Sequence, residues 1–160
     1  MVHSLKLKMK EQKGFTLIEL LAVIVILGII AAIAIPAIGN VIKKSDQKAT
    51  VQEGLQIINA AKMYVADHPQ AKSITLDNNG AGVLASDGTV SGGNVALKDY
   101  LDHVKDNTFV VTVTHNSTSG KYTYVLKTHA AVAIADSKTA PAKGNEDGEA
   151  TEQELIEYTN

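Results

Sequence analysis

From Phe15 to Ile42 the chain is apolar almost without interruption, FTLIELLAVIVILGIIAAIAIPAIGNVI, and from Leu20 to Ile42 it carries no charge for 23 residues. At about 1.5 Å per residue this run makes roughly 34 Å of helix, enough to cross a hydrocarbon core of about 30 Å. The core helix of a soluble domain keeps one polar face, and this run has none. It reads as a membrane-spanning or equally buried helix. The pattern then changes. Val51, Leu55, Ile58, Ala61 and Val65 recur at helical spacing, while Lys48, Gln52, Glu53, Gln56 and Lys62 fall mostly on the other side. His68-Pro69 ends this periodicity. The pattern predicts one helix from about Thr16 to Asp67, apolar all round in its first half and striped in its second. A sheet is the natural cover for such a stripe.

Beyond the helix, Asp77-Asn78-Asn79-Gly80, Asp87-Gly88 and Gly92-Gly93-Asn94 carry strong turn chemistry. Asn94 is a candidate cap for a short helix from Val95 to Lys105, with Leu97, Leu101 and Val104 facing inward. Thr108 to Thr114 reads as a strand, Asn116 to Gly120 as a turn, and Lys121 to Thr128 as a second strand, together a hairpin. Ala130 to Ala135 reads as a third strand. From Asp136 onward seven acids face Lys138 and Lys143, with Pro141, Gly144 and Gly148 among them. That composition predicts a mobile acidic tail, with Thr151 to Tyr158 able to form a short terminal helix.

Composition narrows the function. The 160 residues contain 15 Lys and no Arg against 17 acids, and no Cys or Trp. Without Arg there are no bidentate readers of phosphate or guanine, so direct nucleic-acid binding is not expected. Without Cys there is no disulfide, thiolate metal site or Cys nucleophile. Lys6, Lys8, Lys10 and Lys13 precede the apolar run against Glu11 alone, which predicts a cytoplasmic N-terminus and an outside C-terminus. Lys43 and Lys44 oppose that bias from the far side, but the N-terminal cluster is larger. A cleaved secretory signal fits less well. Ala32-Ile33-Ala34 resembles a cleavage site, yet the apolar stretch exceeds an h-region of about 7 to 15 residues.

Glu19 is the charge out of place. A carboxylate at the centre of a membrane helix costs on the order of 2.5–3.5 kcal/mol, and less near an end. Snorkelling to the interface or capping the helix N-terminus would explain it locally. A positive partner would explain it better. Cleavage between Gly14 and Phe15 would create an ammonium four residues before Glu19, at the positive end of its own helix dipole. Pairing one copy's Glu19 with the next copy's Phe15 amine relieves both costs. Such a head-to-tail rule repeats without closing and gives a filament.

Lys13-Gly14-Phe15-Thr16-Leu17-Ile18-Glu19, continuing through Leu20-Leu21 to Gly28 and Pro36, resembles the processing motif of type IV pilins and type II secretion pseudopilins. The resemblance implies cleavage after Gly14 and N-methylation of Phe15 by a prepilin peptidase, and assembly through Glu19, Phe15 and Thr16. It implies a subunit held in membrane lipid before an assembly ATPase and a polytopic platform protein drive it into a surface filament with copies of itself. Gly28, Ala32 and Pro36 are packing and kink positions: the small residues allow close helix approach, and Pro36 frees the Ala32 carbonyl. Missing cysteines set the chain apart from the many Gram-negative pilins that close a C-terminal loop with a disulfide. They point to a pseudopilin, or to a Gram-positive or competence-type pilin.

The expected fold is α+β, a long N-terminal helix packed on a small antiparallel sheet. Residues 1–14 form the leader and 15–42 the membrane and assembly half of the helix; 43–67 form its amphipathic half. Residues 68–107 make a loop-rich region with a short helix, 108–135 the sheet, and 136–160 the acidic mobile tail. No catalytic triad, phosphate loop or dinucleotide fingerprint is present, so no enzyme and no cofactor are expected. His115 and His129 flank the hairpin, but two histidines alone make a weak metal site; exposed strand-end histidines are the plainer reading. Asp77 to Gly80 lacks the spacing of a calcium loop, and the tail acids, near where some major pseudopilins hold calcium, show no pattern that aligns. No metal is expected. A minor pilin, a competence pseudopilin for DNA uptake, and an unrelated ectodomain on a simple anchor are the alternatives.

Overall fold

The structure is a computed structural model that describes residues 16–138 and 148–159. The chain divides into two compact units, one ending at Lys43 and the other beginning at Lys44. A single helix, α1 (Leu17–Asp67), contributes to both and runs through Pro36 without interruption. In the first unit every large apolar side chain from Leu17 to Ile42 is exposed. An 18-residue window of this helix has a mean hydropathy of 3.0 with none of it buried, so it is long and apolar enough to cross a membrane.

The second unit is α+β. Its strands are β1 (Ile74–Asp77), β2 (Ala81–Leu84), β3 (Val90–Ala96), β4 (Val110–Asn116), β5 (Lys121–Lys127) and β6 (Glu149–Thr151), in spatial order β2-β3-β1-β4-β5-β6. All neighbouring pairs are antiparallel except β1 with β3, which is parallel. The register lines up Val95, Leu76, Val111, Leu126 and Ala150 as successive cross-strand partners. All five are buried, and Ile74 and Val113 form a second buried pair one step along. Against this layer α1 buries Val51, Ile57, Ile58, Ala61 and Val65. Each of these Val and Ile side chains removed from water contributes about 1.5–3 kcal/mol, and the Ala61 methyl less than about 1 kcal/mol. At Gly54 the helix comes so near its neighbours that an added Cβ would lie 2.9 Å from Ala131 Cβ and 3.1 Å from Leu126 Cδ2.

Helix α2 (Ala130–Lys138) follows β5, and α3 (Glu152–Thr159) follows β6. Both corrections at the C-terminal end have local causes. The expected strand at Ala130 to Ala135 is helix α2, because the His129 ring nitrogen Nδ1 accepts the Ala131 N–H at 3.1 Å and caps an alanine-rich turn. Ala131, Val132 and Ala135 are its buried residues, at helical rather than strand spacing. The expected acidic mobile tail is an ordered element over residues 148–159: Ala150 and Leu155 are fully buried, and Lys62 and Lys127 pair with Glu152 and Glu149. The terminal helix anticipated inside it is α3. Residues 139–147 of the tail, with Pro141, Lys143, Gly144, Glu146 and Asp147, lie outside the described residues, as does the leader.

The loop-rich region is also more regular than expected, since β1, β2 and β3 all lie within it. In place of a helix from Val95 to Lys105 there are the end of β3 and one 3-10 turn, Lys98–Tyr100. Val95 is claimed by its pairing with Leu76, and Asn94 gives its Nδ2 hydrogen to Asp77 Oδ2 at 3.0 Å instead of capping a helix. Leu97 is buried, and Leu101 and Val104 pack on the core. The β4–β5 hairpin follows the predicted outline, with Gly120 at φ 68 closing its turn.

Candidate functional site

Glu19 lies in the first turn of α1, and its carboxylate is held within the chain. Oε2 accepts the Thr16 N–H at 2.8 Å and the Thr16 hydroxyl at 2.8 Å, while Glu19 N–H donates back to Thr16 Oγ1 at 3.3 Å. This is a capping box, two orphan donors of the helix start satisfied reciprocally. Its signature, Thr-x-x-Glu before an apolar run, was present in the sequence, and it gives Thr16 a role beyond that of a neighbour. Among the described residues Glu19 has no cationic partner. Gly14 and Phe15, the expected cleavage pair, lie outside the described residues. An added Cβ at Gly28 would meet nothing within 4 Å, and Ala32 and Pro36 lie on the same uncovered helix. The structure therefore brings Thr16 and Glu19 together, and Gly28, Ala32 and Pro36 are exposed.

This N-terminal segment matches the family profile of the prokaryotic N-terminal methylation motif over residues 9–35. The chain is 38% identical over 109 residues to the type IV major pilin protein PilE of Neisseria gonorrhoeae, which covers 68% of this chain and 59% of that one. By its N-terminal motif and this relative, the chain is similar to type IV pilins. It is 36% identical over 89 residues to a type IV major fimbrial protein FimA of Dichelobacter nodosus, 56% of each chain. Over 61 residues, 38% of this chain and 42% of the other, it is 41% identical to the type II secretion system core protein G of Vibrio cholerae. The chain spans a little over half the length of the first of these relatives. No solved structure matches it at a significant level.

The histidines arrange themselves otherwise than the sequence suggested. His115 pairs with Tyr122 near the hairpin turn, whereas His129 follows β5 at the opposite end, so the two do not approach. His129 is buried, not an exposed strand-end residue. With Nδ1 accepting from Ala131, its Nε2 faces Asp106 Oδ2 at 4.0 Å. Burial pushes the His129 ring below its ordinary range, against the opposing pull of Asp106 and Glu53. Asp106 in turn accepts from Thr108 and from Ala130 N–H, and those bonds lower its own carboxyl. Glu53 of α1 accepts the N–H groups of Lys105 and Asp106. Sequence reasoning missed this strap, because its links join residues tens of positions apart. Among the described residues no group of three or more His, Asp or Glu could hold a metal ion.

Proposed function

We propose that this chain is a structural subunit of a type IV pilus or type II secretion-like filament, not an enzyme. Prepilin peptidase cuts it after Gly14 and methylates Phe15, and Glu19 of one copy then pairs with the Phe15 amine of the next. Its N-terminus lies in the cytoplasm and its second unit outside; an ATPase and a platform protein move it from the bilayer into the filament. The observation that carries this reading is an uncharged, uncovered helical run from Leu20 to Ile42 with a single acid at its start, whose bonds are all local. Such a surface needs lipid before assembly and other copies after it.

The match to core protein G favours a second form of the same reading, a pseudopilin of a secretion machine. Both predict a mature chain whose mass begins at methylated Phe15. Both also predict that Glu19→Val inserts and is processed but is lost from sheared surface filaments, at least ten-fold below wild type. Normal filaments from that variant, or a native chain that keeps residues 1–14, would sink the pairing argument.

A further inference from the structure

Asn79 precedes Gly80 in the turn between β1 and β2, and it is exposed. Its side chain makes no hydrogen bond among the described residues. Glycine leaves its own backbone nitrogen unshielded and lets the chain turn freely there. Packing holds that glycine in place, since a Cβ at Gly80 would lie 2.1 Å from the Asn94 carbonyl oxygen. The comparable pairs are guarded. Asn116, before the small Ser117, has its Oδ1 occupied by the N–H groups of Thr118 and Ser119 at 2.9 and 3.0 Å. At Asp87-Gly88 the carboxylate accepts the Thr89 N–H and hydroxyl at 3.0 and 2.6 Å, and the Gly88 N–H donates to the Ala85 carbonyl. Asn94 lies within β3 and gives its Nδ2 hydrogen to Asp77. Asn40 and Asn59 lie within α1, and Asn107 precedes the β-branched Thr108.

We infer that Asn79 is a site of self-modification, where the chain converts its own amide to an acid. The Gly80 nitrogen attacks Asn79 Cγ and forms a new N–C bond. The Cγ–Nδ2 bond breaks, and ammonia leaves with the proton that the Gly80 nitrogen gives up. Water then opens the resulting succinimide ring at one of its two carbonyls. One opening gives aspartate at position 79; the other gives isoaspartate, whose main chain runs through the side-chain carbon. The net change is one water consumed and one ammonia released. Both products place a carboxylate near Asp77, whose Oδ1 is buried with no hydrogen-bond partner among the described residues. Isoaspartate also lengthens the backbone just before Gly80, which is wedged against Asn94 and Val95. The four-residue β2 lies at the sheet edge and is the element that gives way.

The reaction needs no second copy, so its test is independent of the filament reading. The full chain in detergent is aged in mildly alkaline buffer and digested after lysine, which yields a peptide from Ser73 to Lys98. Fragmentation of that peptide should place the amide-to-acid mass gain at position 79, arising about ten-fold or more faster than at Asn116. Isoaspartyl methyltransferase should label the same peptide. Asn79→Gln, whose longer side chain closes the ring far more slowly, should lose both signals. In the aged chain the amides of β2 should exchange hydrogen faster than in the fresh one, while the β4–β5 hairpin keeps its protection. Acid forming at Asn79 no faster than at Asn116, or β2 exchanging alike in fresh and aged chains, overturns the inference.

Discussion

Gly54 is where α1 meets the sheet, α2 and α3 at once, and it gives the sharpest test of the packing. An added Cβ would lie 2.9 Å from Ala131 Cβ, 3.1 Å from Leu126 Cδ2 and 3.5 Å from Leu155 Cδ1. Two effects oppose each other in Gly54→Ala. Helix propensity favours alanine by about 1 kcal/mol. Overpacking a filled core costs about 1–3 kcal/mol. The Leu126 methyl can turn aside, but Ala131 Cβ is fixed to the backbone of α2, so the steric cost wins. The expected net loss is up to about 2 kcal/mol, with each kcal/mol lowering the melting temperature by roughly 2–8 °C, followed by near-UV circular dichroism of the tyrosines in detergent. A double-mutant cycle isolates the contact. Ala131→Gly opens the space, so Gly54→Ala should become neutral or stabilising in that background, with a coupling of about 1–2 kcal/mol. If Gly54→Ala raises the melting temperature of the wild-type chain, or the two changes are additive, the close approach at Gly54 is refuted.

Gly88 should be less tolerant still: at φ +83 its Cβ would come within 1.9 Å of the Gln70 carbonyl oxygen, so Gly88→Ala is expected to cost more than about 2 kcal/mol in the same thermal assay. The neutral, buried His129 makes stability pH-dependent. Its folded pKa lies below the unfolded 6.5, so the unfolded chain takes a proton that the native one refuses, and stability falls as pH drops from about 6.5 toward the lower folded value. His129→Asn keeps an acceptor for the Ala131 N–H and removes the titration. Its melting temperature should be flatter across that window, and an unchanged slope would refute the role given to His129.

Much of the fold was legible because short-range rules dominate it. The apolar run, the switch to striped spacing, the break at His68-Pro69 and the Asn116-to-Gly120 turn each rest on residues close together in sequence. Where the reading failed, a distant partner decided the outcome. Val95 has helical neighbours in Leu97 and Leu101, yet its pairing with Leu76 makes it strand. Ala130 to Ala135 is alanine-rich, which favours helix over strand, and the cap from His129 adds to that preference. The tail read as mobile because its acids outnumber its lysines and Pro and Gly lie among them. Lys62, Lys127 and the burial of Leu155 hold residues 148–159 in place, and none of these partners is near in sequence. At the candidate site Glu19 stood out by its charge alone, and the role of Thr16 was readable from its spacing.

The chain contains the same capping box twice, and the comparison shows what is particular to Glu19. At Thr151 and Glu154 the geometry repeats almost bond for bond: 2.7 Å from the backbone N–H, 2.9 Å from the hydroxyl, and 3.3 Å for the return bond. A box of this kind is worth about 1 kcal/mol at a solvated helix end. At α3 that suffices, since the carboxylate keeps much of its water. At the start of the uncovered apolar helix the same bonds must stand against desolvation, whose cost approaches about 3 kcal/mol deep in a bilayer and falls toward the interface. The local box thus reduces the cost of holding Glu19 ionised in a single copy but does not cancel it. An amine from a second copy, attracting the carboxylate with about 4 kcal/mol at 4 Å and an effective dielectric constant near 20, is strong enough to compete with Thr16 for it. Removing the box by Thr16→Ala should therefore raise the cost of the waiting monomer more than that of the assembled one. Thr16→Ala is therefore expected to keep sheared-filament yield near wild type while Glu19→Val loses it, and an equal loss from both would refute the proposed pairing.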